Sequence, residues 1–287
     1  MTERQEILNR IKEEVTICIP TYKREKQITY ESLCDELKEI TYLVVSSEDK
    51  LKIEKRYPKA KFLLSYSQEQ GLGLGKTREW IMDTVDSKYI IMFDDNMMFY
   101  KRVSDNDWHL KYADNLDIFD GNQTLQMVDY MVQLAKKENY FGIGLSSRQG
   151  NNNVTGDYTE NSRMFASFLL NREIFMKESI KFGDIKIMED FGAFLKLLTR
   201  GYKNAVVYKY CFGKPSASMP GGCSAYRNFD TQKEACYILK DLFPEFVSIV
   251  KKKTKNWGDE LNFRYDVRIS WKKAYDSHFL PKRRNLF

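Results

Sequence analysis

Tyr89-Ile90-Ile91-Met92-Phe93-Asp94-Asp95-Asn96 is a run of five apolar residues that stops on two carboxylates and an amide. Apolar residues without polar alternation read as a strand buried on both faces, and such strands belong to parallel sheets covered by helices on each side. The same signature occurs at Val15-Thr16-Ile17-Cys18-Ile19-Pro20, where proline stops the run, and again at Tyr42-Leu43-Val44-Val45 and Lys61-Phe62-Leu63-Leu64. Residues 75–85 carry Trp80, Ile81 and Val85 at helical spacing. Short apolar strands alternating with amphipathic helices predict an α/β fold with a Rossmann-like, mostly parallel sheet flanked by helices. Ligands in such sheets gather beyond the carboxyl ends of the strands. Attention therefore falls on Thr21-Tyr22-Lys23-Arg24, on Ser46-Ser47-Glu48, on the glycine-rich residues 68–78 and on Asp94-Asp95-Asn96.

Composition supports a fold of this size. Of 287 residues, 43% are hydrophobic and 14% aromatic, with 15 Gly and 6 Pro, which gives a large core and excludes disordered and collagen-like classes. The polar opening Met1-Thr2-Glu3-Arg4-Gln5-Glu6 does not read as a secretory signal, and no apolar run approaches the roughly 20 residues of a membrane span. Cys18, Cys34, Cys211, Cys223 and Cys236 form no C-x-x-C pair, which argues against a disulfide framework and a zinc ribbon. A cytoplasmic protein without membrane contact is expected. The net charge of +6 is concentrated at one end: residues 251–287 hold eleven Lys and Arg against four Asp and Glu, a net +7, leaving the rest at −1. No repeat or long linker interrupts the chain, so residues 1–250 read as one domain and 251–287 as a basic C-terminal extension packed on it. That end either meets an anionic partner or is merely solvated.

Three polar segments carry the chemistry. Gly71-Leu72-Gly73-Leu74-Gly75-Lys76-Thr77 is one residue short of a P-loop, and Lys76 breaks the dinucleotide pattern G-x-G-x-x-G. What survives is a tight turn at a helix N-terminus, with Lys76 and Arg78 in the first turn, suited to a diphosphate. Asp94, Asp95 and Asn96 form either an ordinary turn or a seat for a hard divalent cation such as Mg2+ or Mn2+. Glu189 and Asp190 precede a helix-like stretch that ends at Gly201. They serve there either as helix-terminal acids favoured by the dipole or as a general base.

Together these pieces resemble the GT-A class of nucleotide-sugar glycosyltransferases over residues 15–230. The order is the strand with Ile19-Pro20-Thr21-Tyr22, the glycine-rich turn leading to Arg78, the acidic turn, and Glu189-Asp190 before a helix and Gly201-Tyr202. A narrower likeness lies in residues 70–81, in Met92-Phe93-Asp94-Asp95-Asn96-Met97-Met98-Phe99, and in Pro220-Gly221-Gly222-Cys223-Ser224-Ala225-Tyr226-Arg227. These are similar to the TET/JBP-associated glycosyltransferases of bacteriophages, relatives of the base J glucosyltransferases. That family's acidic turn usually reads Asp-Asp-Asp, whereas Asn96 stands third here, a weaker ligand for a hard cation.

The resemblance implies that Pro20, Thr21, Tyr22 and Arg24 line the nucleotide base pocket with Ser46 or Glu48. Gly75 and Arg78 would meet the ribose or diphosphate of a UDP-sugar, beside Asp94. Asp95 and Asn96 would meet Mn2+ or Mg2+, with Gly221, Gly222 and Arg227 near the donor. Asp190, with Glu189 beside it, would be the base in an inverting transfer to a hydroxymethylated pyrimidine in double-stranded DNA, in the host cytoplasm if the protein is phage-encoded. A saccharide, lipid or protein acceptor is the alternative.

The case for DNA rests on the basic end. From residue 261 to 272, Leu261, Phe263, Tyr265, Val267, Ile269 and Trp271 alternate with Asn262, Arg264, Asp266, Arg268, Ser270 and Lys272. That period predicts a strand with an apolar face and a face on which Arg264, Arg268 and Lys272 track phosphates, or else a solvated edge strand. The two histidines are His109 and His278; His278 is a conceivable late metal ligand or simply a surface residue.

Overall fold

In the computed structural model, residues 2–102, 116–118, 121–148, 156–214, 222, 226–254 and 262–280 are described. Helix α1 (Glu3–Glu14), capped by the Thr2 hydroxyl, runs directly into β1 (Val15–Pro20). Next come α2 (Ile28–Ser32), α3 (Asp35–Lys38), β2 (Thr41–Val45), α4 (Ser47–Ile53), β3 (Lys61–Leu64), α5 (Tyr66–Glu69), α6 (Leu74–Thr84) and β4 (Tyr89–Phe93). The four strands expected from apolar runs are all present, β2 starting one residue earlier, at Thr41. The chain continues through β5 (Met98–Arg102), β6 (Leu116–Ile118), α7 (Gly121–Glu138), β7 (Gly142–Ser147), β8 (Tyr158–Glu160) and β9 (Ser167–Asn171). After α8 (Arg172–Lys177), α9 (Glu189–Leu198) and β10 (Asn204–Gly213) come α10 (Phe229–Leu242), a hairpin of β11 (Val247–Lys253) and β12 (Phe263–Ile269), and α11 (Trp271–Asp276).

Ten strands form one sheet in the order β3-β2-β1-β4-β9-β7-β10-β5-β6, with β8 paired to β10. Strands β3, β2, β1 and β4 are parallel, and only β5, β8 and β9 run against the common sense, so the sheet is mostly parallel. Alternation along each central strand divides the core. Val15, Ile17 and Ile19 of β1 and Tyr89, Ile91 and Phe93 of β4 pack with α1 and α7 on one face. Cys18 of β1 and Ile90 and Met92 of β4 pack with α6, α8, α9 and α10 on the other. A strand apolar at every position is thus what a sheet buried on both faces requires.

Two features position the site. Gly75 lies where α6 meets α9: a Cβ there would come within 2.8 Å of the Phe182 carbonyl and 3.1 Å of the Glu189 Cβ. Met188 enters α9 in the left-handed region (φ 59°), which swings Glu189 and Asp190 into the helix's first turn. At the other end of the chain the expected long strand is shorter. β12 stops at Ile269, and Trp271 and Lys272 belong to α11, because Trp271 packs edge-on against Phe191 of α9 at 5.5 Å. Lys272 therefore sits on a helix rather than on the strand face with Arg264 and Arg268. Phe263, Tyr265, Val267 and Ile269 form the inner face of the hairpin against α10, as the period implied. None of the described helices is long and apolar enough to cross a membrane.

Substituting Gly75→Ala is expected to overpack the α6–α9 contact and cost about 1 to 3 kcal/mol. Denaturant unfolding measures this; an unchanged midpoint and slope would show that the two helices are not held at this distance.

Candidate active site

Because β1, β2 and β4 are parallel neighbours, Thr21, Ser46 and Asp94 emerge on one edge of the sheet. The acidic turn after β4 is fixed by its backbone. The Asp94 amide donates to the Ala166 carbonyl at 2.9 Å and the Thr29 amide donates to the Asp95 carbonyl at 3.2 Å. The Thr29 hydroxyl donates to the Asp94 carbonyl and accepts the Met97 amide at 2.8 Å. With the backbone held, the side chains have little choice of direction.

Two adjacent carboxylates need compensating charge, and the chain supplies it. Asp95 is ion-paired to Arg24 through one oxygen, and the Thr21 hydroxyl oxygen lies 3.3 Å from the other. Thr21 in turn donates to Gln27 at 2.8 Å, and Gln27 donates to the Arg24 carbonyl at 2.7 Å, which closes a buried network around the pair. Asp94 is more open, its side chain 26% exposed; it pairs with Lys214 and lies 3.5 Å from Arg78. Arg78 reaches across from α6 to an ion pair with Glu189, and its guanidinium covers the Phe168 ring at 4.7 Å. One guanidinium therefore links the acidic turn to the start of α9.

The electrostatics divide these acids into two groups. Burial raises Asp95 to about 6 although Arg24 opposes it. Burial also opposes the charged form of Asp94, but Lys214, Arg78 and Arg24 outweigh it and hold that carboxyl below its ordinary range. Burial pushes Glu189 up to about 7 against the pull of Arg78, with Asp190 adding to the rise. Asp190 is raised as well, by burial first, against the attraction of Arg78 and Arg163. A buried carboxylate of raised basicity beside an open one is the arrangement expected where one acid takes a proton and the other stays charged.

The remaining expected residues divide. Pro20 ends β1 beside Val44, and the Tyr22 carbonyl accepts the Gly222 amide at 2.8 Å, so Tyr22, Arg24 and Gly222 meet near the turn. Ser46 is buried as the N-cap of α4, accepting the Asp49 amide at 3.1 Å, and Asp49 accepts the Lys23 amide at 2.9 Å. Glu48, by contrast, is exposed and pairs with Lys52 at 2.6 Å on the outer side of α4. Lys76 pairs with Glu79 at 3.3 Å. The Tyr226 hydroxyl accepts the Leu74 amide at 3.1 Å and ties its segment to the glycine-rich turn, while the next residue, Arg227, is exposed. Arg264 lies 3.5 Å from Asp266, which also takes Lys252 at 2.8 Å, so an acid sits among the bases on the hairpin's outward face with Arg268. His278 lies over Gly201, beyond the far end of α9 and on the order of 15 Å along that helix from Glu189, and is not a ligand candidate for the acidic turn. Gly221, His109 and the basic residues 282–284 lie outside the described residues.

Lys214 was not anticipated. Its signal was its position directly after β10, the same relation to a strand that singled out Thr21 and Asp94. Among the described residues no three His, Cys, Asp or Glu side chains converge to hold a metal. Asp94 and half-buried Asn96, which makes no side-chain hydrogen bond among the described residues, instead offer hard oxygens of the kind that suit Mg2+ or Mn2+ arriving with phosphate and water ligands of its own.

The model of the TET-associated glycosyltransferase family matches residues 15–222. The chain is 26% identical over 193 residues to the β-glucosyl-HMC-α-glucosyltransferases of Enterobacteria phages T2 and T6, a match covering 66% of this chain and 69% of theirs. Staphylococcus aureus TarS, solved with UDP-GlcNAc, is similar with a TM-score of 0.53 at 14% identity, covering 79% of this chain and 67% of that one. Glucosyl-3-phosphoglycerate synthase of Mycobacterium tuberculosis, solved with Mg2+ and UDP, has a TM-score of 0.54 at 12% identity, covering 94% and 92%. These likenesses establish the fold as GT-A.

Glu189 titrates at about 7 in the folded chain, above its ordinary 4.5. The folded state thus holds a proton that the unfolded chain has lost, and this contribution to stability is present below about 4.5 and disappears as pH rises through 7. The slope it adds is up to about 1.4 kcal/mol per pH unit. Glu189→Gln is expected to flatten that part of the stability curve; denaturation from pH 4 to 8 checks it, and a slope shared by both proteins would refute the assignment.

Proposed function

The chain belongs to the TET-associated glycosyltransferase family, and on that premise we propose that it moves a sugar from a UDP-sugar to the hydroxymethyl group of a modified pyrimidine in double-stranded DNA. The observation that carries the proposal is the buried Glu189–Asp190 pair, tied through Arg78 to an open carboxylate at the carboxyl edge of a GT-A sheet. The relatives in phages T2 and T6 are named for glucosyl transfer to glucosylated HMC, which supports a modified-DNA acceptor.

Each group then has a task. Pro20, Thr21, Tyr22, Ser46 and Gly222 surround the nucleotide, while Arg24, Arg78 and Lys214 face the diphosphate. A hydroxymethyl group is not acidic at neutral pH, so Asp190 accepts its proton as the oxygen attacks C1 and the C1–O bond to the diphosphate breaks. The charge gathering on the leaving group is met by the three cations. A divalent ion, Mg2+ or Mn2+, held by Asp94 and Asn96 with Asp95 behind them, would supply further positive charge to that diphosphate. With Asp190 opposite the leaving group, the displacement is single and inverts the anomeric centre. Lys252, Arg264 and Arg268 of the hairpin, with Lys272 on α11, provide a surface for DNA phosphates. Such DNA places the enzyme in the cytoplasm of an infected host.

Incubation with UDP-glucose and a duplex containing 5-hydroxymethylcytosine, followed by mass spectrometry of the nucleosides, is expected to yield a hexosylated base. Asp190→Asn should lower this transfer by about a hundredfold or more while UDP binding stays within threefold. A β-linked product from α-configured UDP-glucose is expected. An α product, the linkage in the phage relatives' name, would remove Asp190 from the in-line position. Transfer to a saccharide, lipid or protein but to no hydroxymethylated or glucosylated DNA would overturn the acceptor.

A further inference from the structure

Arg163 lies between β8 and β9 and is exposed, yet its guanidinium is held against two rings, 4.8 Å from the centroid of Phe165 and 4.7 Å from that of Phe191. Both rings are fixed in turn. Phe165 packs edge-on against Phe212 of β10 at 5.3 Å, and Phe191 does so against Trp271 of α11 at 5.5 Å. The backbone of the segment is anchored as well: Met164 is buried against Gly142 and Gly144, and the Ala166 carbonyl accepts the Asp94 amide. Such stacking positions a guanidinium while leaving its in-plane N–H donors unused. Arg163 makes no ion pair or side-chain hydrogen bond among the described residues.

The surroundings indicate what those donors await. Burial lowers the pKa of Arg163; Asp190 and Asp266 partly offset this by favouring its charge, while Arg227 opposes it. Two exposed guanidiniums thus lie near enough to repel, and neither is paired to an acid among the described residues. The position is also informative. Arg163 stacks on the residue next to the base Asp190, on the side where α11 and the β11–β12 hairpin approach, whereas Arg78 and Lys214 serve the donor side.

Resting on the acceptor reading above, we propose that Arg163 seats a backbone phosphate of the acceptor strand beside the nucleotide being modified, with Arg227 flanking it. The ligand chemistry is a phosphate diester accepting a bidentate guanidinium. The donor's diphosphate offers similar chemistry, so the test must separate the two.

Arg163→Gln is the variant, with thermal unfolding as the check that it folds. For a duplex with one 5-hydroxymethylcytosine, the KM of the DNA should rise about tenfold, the KM of UDP-glucose should stay within twofold, and Arg163→Lys should recover part of the loss. Fluorescence anisotropy without donor should show the slope of log affinity against log salt falling by about one in Arg163→Gln. Replacing the phosphates that flank the modified base by methylphosphonates should weaken wild-type binding, and Arg163→Gln should then add no further loss. A raised KM for UDP-glucose with unchanged DNA affinity and salt slope would place Arg163 at the donor and overturn the proposal. Transfer to DNA that is indifferent to Arg163→Gln overturns this seat alone, whereas absence of transfer to any modified duplex overturns the acceptor reading and the seat with it.

Discussion

The guanidinium of Arg78 is the point on which the site depends. At 3% exposure it brings a full charge into a place where an unpaired ion would be costly. It is tolerated because Glu189 pairs with it, Asp94 lies 3.5 Å away and Phe168 covers its face. Those partners come from α9, from the turn after β4 and from β9, so one side chain on α6 joins three elements distant in sequence. Breaking such a buried pair from one side typically costs about 3 to 5 kcal/mol, and none of the three can shift without exposing another to that cost. Gly75, one helical turn earlier, permits α6 and α9 to approach closely enough for the contact.

A charge pattern useful for sugar transfer follows. Four acids, Asp94, Asp95, Glu189 and Asp190, share the site with Arg24, Arg78 and Lys214. Each of these cations rests on a carboxylate, which keeps it charged and in position for an entering diphosphate. As the donor draws on the cations, the acids lose compensation and become more basic. In the proposed transfer, donor binding is thereby coupled to the proton affinity of the buried Glu189–Asp190 pair. Asp94, with its lowered pKa and partial exposure, is the acid that stays charged.

Much of this was legible in the residues themselves. The central strands β1, β2 and β4 show as mainly apolar runs, because a strand covered on both faces has few polar positions to reveal a period, whereas β3 at the sheet edge is exposed at Lys61 and Leu64. The polar residues after β1, β2 and β4 share one edge of the sheet, since parallel strands bring their carboxyl ends together. Long-range pairing left less trace: nothing near Lys214 specifies Asp94, 120 residues away. Position in the sequence points to Ser46 or Glu48, and only the phase of α4, fixed by the Ser46 cap, turns Asp49 inward and Glu48 out. At the C-terminal end the period of two continued through Trp271 and Lys272 in the sequence. A tertiary contact, Trp271 against Phe191, ended the strand earlier than local pattern could indicate.

The coupling of donor binding to the protonation of the buried acidic pair is tested most directly by calorimetric titration of the protein with UDP in metal-free buffers of different ionisation enthalpy near pH 7, where Glu189 titrates. If the diphosphate takes Arg78 and Lys214 from their carboxylates, binding will draw a fraction of a proton from the buffer, and Glu189→Gln will reduce that uptake. Binding by the wild-type protein with no proton exchange, or with proton release, would contradict the account.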